Sequence, residues 1–386
     1  MPIQRIALNC CFAAAMALAL AAQPQAAQAR VLYSFSGSDG AWPSGNIIRD
    51  ANGNFYGTTV TGGATGYGVV FKLAPDGTET VLHSFNGGAG ASPTGLRQDR
   101  TTGDLYGVKG GNCNCNVIYK LTLDGTETVL HNFAEDSFYF PVGLRRDSAG
   151  NLFGVAKFGG CGAVYELAAD GTFSILHEFD RAHGCYPNSR LITDKQHNLY
   201  GTAARGGSHC SAQHGCGVVF KLTQDGTYSV LHDFRGRDGN VPLGLVRDDE
   251  GNIYGTTAHG GDGGGKFSHG LVFKLAPNGK FSVMHIFTGY GTADGGGPGG
   301  DLVSTGTGMI YGTTEYGGGS GCVHNGCGTI FSVAPDGTFT TIYWFSRRSV
   351  GACPSALLTE EGDHNIYGTT AGGGANDVGT VFKVRQ

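Results

Sequence analysis

Beyond residue 29 the sequence has no apolar run long enough to cross a bilayer as a helix, so no membrane span is expected in the folded part. It also lacks a basic excess. Lys and Arg number 26 against 31 Asp and Glu, a net charge of −5, and without a basic stripe nucleic acid is not an expected partner. Helical periodicity is absent throughout. No nucleophile elbow, Walker loop, H-E-x-x-H or dinucleotide fingerprint occurs. Stretches such as G-G-D-G-G-G-K from Gly260 lack the strand-to-helix setting that a phosphate loop requires. These absences lead to an expectation of no cofactor and no bound metal.

The first 29 residues are of another kind. Met1 to Ala29 carries one charged residue, Arg5, then A-L-N-C-C-F-A-A-A-M-A-L-A-L-A-A, and ends in Ala27-Gln28-Ala29. A charged start, a short apolar stretch and a small-x-small ending describe a secretory signal peptide rather than a span. Leu8-Asn9 ahead of Cys10 is a poor lipobox, so Cys10 and Cys11 are read as leader residues. The expected mature chain, residues 30–386, is then an exported protein, periplasmic or extracellular, and a monomer. Losing Arg5 takes its charge from −5 to −6.

What the chain has in abundance is repetition, and periods of this size decide the fold. The marker N-F-Y-G-T-T at Asn54 recurs with its aromatic at Tyr56, Tyr106, Phe153, Tyr200, Tyr254, Tyr311 and Tyr367. G-V-V-F-K-L-A-P-D-G-T-E-T-V-L-H-S-F from Gly68 returns as G-V-V-F-K-L-T-Q-D-G-T-Y-S-V-L-H-D-F from Gly217. An x-Pro step precedes each copy, at Pro43, Pro93, Pro141, Pro187, Pro242, Pro298 and Pro354. Each copy reads as four short strands joined by a Gly-Asn turn, a Gly-Gly loop and a D-G-T hairpin. Gly reaches 69 of 386 residues with no collagen period, so the excess belongs in these turns. Four strands at this period make a propeller blade. The last copy stops after its third strand, G-T-V-F-K-V, while Val31-Leu32-Tyr33-Ser34-Phe35 matches the fourth strand V-L-H-S-F at Val81. The expectation is an all-β, seven-bladed propeller of four-stranded blades, closed by the N-terminal strand.

The run Y-G-T-T-x-x-G-G followed by G-x-V-F-K-L-x-x-D-G-T resembles the GloVer-type tandem repeats of the choice-of-anchor group of exported bacterial proteins, over essentially all of residues 31–386. The resemblance implies the propeller and export but no chemistry. Members often carry a surface anchor near the C-terminus; here the chain ends at Val384-Arg385-Gln386 without an apolar tail, so a free exported protein is expected.

Several features invite functional readings. Asp50-Ala51-Asn52-Gly53-Asn54 and Asp248-Asp249-Glu250-Gly251-Asn252 look faintly like calcium loops, but they lack the full ligand series and sit where a turn wants Asp, Asn and Gly. His83, His131, His177, His232 and His285 recur on fourth strands, with Tyr33 and Tyr343 in the other copies. One structural position in different blades keeps them apart, so a repeated anchor is expected rather than a metal site. Nine cysteines follow the leader, all in second-to-third-strand loops or blade connections, hence on one face: Cys113, Cys115, Cys161, Cys185, Cys210, Cys216, Cys322, Cys327 and Cys353. In an exported chain they read as disulfides, with Cys210–Cys216, Cys322–Cys327 and Cys161–Cys185 the expected bridges. The rival for the first is zinc on His209, Cys210, His214 and Cys216.

Ten residues before each Tyr-Gly aromatic, with one more allowed in blade two, lies a ring around the axis: Asn46, Gly95, Gly143, Arg190, Gly244, Asp301 and Leu357. Small residues suit a crowded axis. Asn46, Arg190 and Asp301 depart from that, either as a ligand site or as charges that offset each other across a wet channel. Arg205, His259 and Tyr316, just before the Gly-Gly loops, complete the candidate set. No base–nucleophile pair stands out. The favoured reading is a binding or scaffold module for a polar ligand, such as a glycan, peptide or surface partner, on the cysteine-bearing face. The alternative is a propeller hydrolase or lyase with its site at the channel mouth.

Overall fold

A computed structural model of the protein describes residues 27–87, 93–110, 116–135, 139–209, 216–261, 269–289, 291–300, 302–305, 308–318, 322, 326–347, 350–354, 359–361 and 365–385. Seven antiparallel sheets follow one another along the chain, each with its strands in order from the axis outward. Blade one sets the pattern with Ala41–Arg49, Phe55–Thr61, Val69–Leu73 and Glu79–Ser84. The seventh sheet takes its outer strand from the other end of the chain. Ala29–Ser34 pairs with Thr380–Arg385, with Ser34 opposite Thr380 and Ala29 opposite Val384, so the ring is closed as the repeat pattern requires.

The core lies between blades rather than within any one of them. The phenylalanine that ends each fourth strand meets the central ring of the next blade's third strand edge to face. Phe35–Phe71, Phe85–Tyr119, Phe133–Tyr165, Phe179–Phe220, Phe234–Phe273, Phe287–Phe331 and Phe345–Phe382 have centroids 5.0–5.4 Å apart and planes 63–70° apart. Each such pair contributes about 0.5–1.5 kcal/mol beyond the area it buries. The Tyr-Gly marker has its reason here: a Cβ on Gly57 would stand 2.6 Å from the Phe71 ring, and one on Gly255 2.4 Å from Phe273.

The fourth-strand histidines knit the outer edges together. His131, His177, His232 and His285 stack on Phe173, Tyr228, Phe281 and Phe339 of the following blade, with centroids 3.6–3.9 Å apart and planes within 9°. The Asp at each Gly-Asn turn serves its own turn. Asp50 accepts hydrogen bonds from the Asn52 and Asn54 amides, the Asn54 side chain and the Tyr56 hydroxyl. Burial pushes that carboxyl up, but these bonds outweigh it and hold its pKa below the usual value.

At the axis the inner strands crowd one another. In blade three, Tyr139–Arg146 stays continuous by shifting register between Val142 and Leu144, with Gly143 at φ 53°. A Cβ there would lie 3.0 Å from Cβ of Arg190. Where the ring residue is Arg190, the inner strand breaks into Cys185–Pro187 and Ile192–Thr193. Blades six and seven break likewise, into Gly296–Pro298 with Val303–Ser304 and Ala352–Pro354 with Thr359–Glu361. Blade one keeps its strand despite Asn46, because the left-handed turn is taken by Gly45 at φ 75°.

Candidate functional site

Every blade is entered through an x-Pro step, and in six of them the residue before the proline stands in the left-handed region. Trp42, Phe140, Tyr186, Val241 and Cys353 have φ of 54–61°, and Gly297 has 60°. A side chain in that conformation costs of order 1–3 kcal/mol and persists only where its surroundings hold it. They do so through a hook to the preceding blade. The Trp42 amide donates to Val378 O (2.9 Å), Tyr186 to Cys161 O (2.7 Å), Val241 to Cys216 O (3.0 Å) and Cys353 to Cys327 O (2.9 Å). The proline then covers the glycine after that carbonyl: a Cβ on Gly162 would be 2.6 Å from Pro187, and one on Gly217 2.5 Å from Pro242. The x residues thus stand on rigid backbone beside the anchoring carbonyls, they differ from blade to blade, and two of them, Trp42 and Cys353, line one cavity with Cys322. Trp42 is 53% exposed. In the sequence the prolines serve as markers and the residue before them passes unnoticed, although its changing identity in a constant frame is the available signal.

Inside this ring the channel holds a cavity of about 180 Å³ lined by Asn46, Arg97, Asn188, Arg190 and the axial glycines. Asn46 is buried, and its amide is spent on the fold. Its Nδ2 donates to Leu96 O and its Oδ1 accepts from Leu96 N, both at 3.1 Å. Arg190 lines the cavity; Asp301, its expected counterpart, lies outside the described residues, as does Leu357. Arg205 is exposed, with its guanidinium 5.2 Å over the Tyr186 ring. Tyr316 is half-buried in a second cavity of about 370 Å³ on the same face, together with Trp42, Glu315, Arg347, Cys353 and Asp377. Arg347 forms a two-point ion pair with Asp377 there. His259 is exposed at the end of its strand and lines neither cavity. The structure therefore gathers Asn46 and Arg190 in the channel, and Trp42 and Tyr316 at the rim.

Two of the expected bridges are present. Cys161–Cys185 joins blades three and four with α-carbons 4.4 Å apart, and Cys322–Cys327 closes a loop of blade six at 5.4 Å. Cys216 is disulfide-bonded, which removes it as a thiolate ligand for zinc. Cys210, Cys113, Cys115 and His214 lie outside the described residues. His209 Nδ1 sits 3.1 Å from Asp233. Cys353 is free, and burial pushes its thiol up. Cys161, Cys216 and Cys327 share one place in the repeat, the carbonyl that anchors the next blade, so their bonds brace the hooks. Among the described residues no helix is long and apolar enough to cross a membrane. The disulfides are consistent with an oxidising compartment.

A family model described as the Gloeobacter/Verrucomicrobia repeat matches residues 19–137, 108–324 and 210–386. No curated protein matches by sequence. Among solved structures, virginiamycin B lyase from Staphylococcus aureus superposes with a TM-score of 0.64 at 14% identity, covering 93% of this chain and 99% of the lyase. A catalytically inactive variant of that lyase, solved with quinupristin, gives 0.66 at 13% identity over the same shares. A gluconolactonase from Xanthomonas campestris gives 0.46 at 15% identity, covering 76% of this chain and 85% of its own. At these identities the likeness to the lyase is one of fold.

Proposed function

The chain belongs to the Gloeobacter/Verrucomicrobia repeat family, and from that premise we propose that it is an exported binding module which takes a polar ligand, a glycan in the first instance, on its cysteine-bearing face. The observation that carries this is the rim of pre-proline residues. Trp42 offers an exposed aromatic plane, and Tyr186 carries the Arg205 guanidinium. Rings held by strained but hooked backbone lose little freedom on binding, which is the advantage of preorganisation. Aromatic faces beside fixed cations and amides suit the alternating apolar faces and hydroxyls of a sugar. The D-G-T turns of the opposite face are near-identical, so the turns themselves carry little that differs from blade to blade.

A hydrolase or lyase at the same mouth would need a titratable set around one pocket. The described residues lining the channel cavity supply two cations, Arg97 and Arg190, and otherwise amides, one hydroxyl, aliphatic side chains and glycine. A glycan array with the mature protein, followed by W42A and R190A, tests the proposal. Both variants should weaken capture about tenfold or more, while D76A, in a turn on the far face, should leave it unchanged. Loss of capture in D76A but not in W42A or R190A would overturn the placement. Turnover of small esters abolished by R190A would replace binding by catalysis.

A further inference from the structure

The turn face carries a cavity of about 610 Å³ between blades three and four, lined by Arg145, Asp147, Phe153, Glu166, Thr193 and His197 among others. Its origin is a coordinated departure from the repeat. At three other junctions cations stand in the same place, and between blades two and three only a smaller cavity of about 300 Å³ remains around them. Between blades seven and one, Arg49 lies 5.6 Å and Lys383 5.4 Å from the centre of the Tyr367 ring. Between blades two and three, Arg146 lies 5.2 Å over Tyr106 and pairs with Asp99 at 2.7 Å, while Lys120 pairs with Asp104 at 2.6 Å. Between blades four and five, Lys221 lies 5.7 Å over Tyr200, with the charge of Arg247 close to it.

Between blades three and four all three parts change. Thr193 replaces the arginine of the incoming blade, Glu166 replaces the lysine, and Phe153 replaces the tyrosine. Asp147 keeps its bonds from Asn151 but has no tyrosine hydroxyl to accept from. Burial, with Asp147 nearby, pushes the Glu166 carboxyl up. Of the two arginines at the cavity, Arg146 is spent on Asp99 in the preceding junction. Arg145 stands where blades one, four, five and six have Ile48, Ile192, Val246 and Val303. Burial and Arg190 depress its pKa while Asp147 opposes them.

We propose that this cavity is a binding site for a guanidinium or alkylammonium group on an apolar stem, which docks over Phe153 against Asp147 and Glu166, where the sister junctions place their own arginine and lysine. The protein's internal repeats supply the geometry of recognition: a planar cation over a ring with a carboxylate at its edge. Phe153, Leu176 and Leu199 provide the apolar wall for the stem. The site lies on the turn face, away from the Trp42 rim of the proposed glycan surface, although Arg190 is close enough to act on Arg145.

Calorimetry on the mature protein with agmatine and with acetyl-Gly-Arg-Gly-amide tests this, the two probes separating a free guanidine from an arginine of a protein partner. At least one should bind saturably. Thr193→Arg restores the arginine of those junctions, so it should abolish that binding and raise the melting temperature. Glu166→Lys restores the lysine present at Lys72, Lys120, Lys221, Lys274 and Lys383, and should weaken binding about tenfold or more; it decides the matter should Thr193→Arg fail to fold. Saturable binding of neither probe, binding unchanged in both variants, or saturable binding of inorganic phosphate through Arg145 in place of the guanidines would overturn the proposal.

Discussion

Glu79 and Glu127 hold the same place in the repeat and behave in opposite ways. Burial pushes the Glu127 carboxyl up, but His83 at 3.1 Å and Lys109 outweigh it and hold it below its usual value. For Glu79, Tyr33 stands in place of the histidine and Thr59 in place of the lysine. Burial and Asp39 raise it from 4.5 to about 7, and its Oε1 is buried without a hydrogen-bond partner. A raised carboxyl pKa contributes stability that is fully present below 4.5 and lost as pH rises through 7. Glu79→Gln should therefore gain on the wild type between pH 5 and 8, by about 1 kcal/mol because the group is partly solvated. Melting curves showing the same difference at both ends of that range would sink the assignment. Tyr119 and Tyr165 present a simpler case. Their hydroxyls are fully buried without a partner, where the other five blades have Phe71, Phe220, Phe273, Phe331 and Phe382. Tyr165→Phe should stabilise by about 1–3 kcal/mol; a loss in urea titration would reveal a partner for the hydroxyl.

At the scale of the element, the hook explains why proline and glycine recur in register. Their spacing was legible in the sequence, but its cause was not, because Gly162 and Pro187 belong to different repeats and meet only once the blades are assembled. The Cys161–Cys185 bridge could be read ahead, since a second-to-third-strand loop and the connection into the next blade fall on one face. The broken inner strands of blades four, six and seven could not, because the axial crowding that stops a ladder at Arg190 depends on how closely Gly143 approaches. Gly162→Ala separates packing from conformation. Its methyl would stand 2.5 Å from Ala156 O and 2.6 Å from Pro187, while at Gly171, with a similar φ of 91° against 95°, nothing lies within 4 Å. We expect Gly171→Ala to cost about 1 kcal/mol and Gly162→Ala about 2 kcal/mol or more. Equal costs in denaturant titrations would mean that the hook carries no packing load.

For the molecule as a whole, seven junctions of one design make the ring, and they depend on one another through closure. Blade number and closure were readable by counting copies and matching Val31–Phe35 to V-L-H-S-F, because both follow from what the repeats share. The sites were less legible because they depend on where repeats differ. Thr193, Glu166 and Phe153 look like unrelated substitutions until the fold shows that they face one cavity. Closure itself has a measurable consequence. Phe35 is fully buried and packs on Phe71, and Ala29–Ser34 covers the edge of Thr380–Arg385. Removing residues up to Phe35 leaves that edge unpaired and empties one of the seven aromatic junctions, a loss of about 3–5 kcal/mol from the ring alone. An open edge also recruits other chains. The shortened protein should melt lower and self-associate in light scattering, and a peptide of residues 29–35 added in trans should reverse both changes. A shortened chain that stays monomeric with an unchanged melting temperature would show that the ring holds without its closing strand.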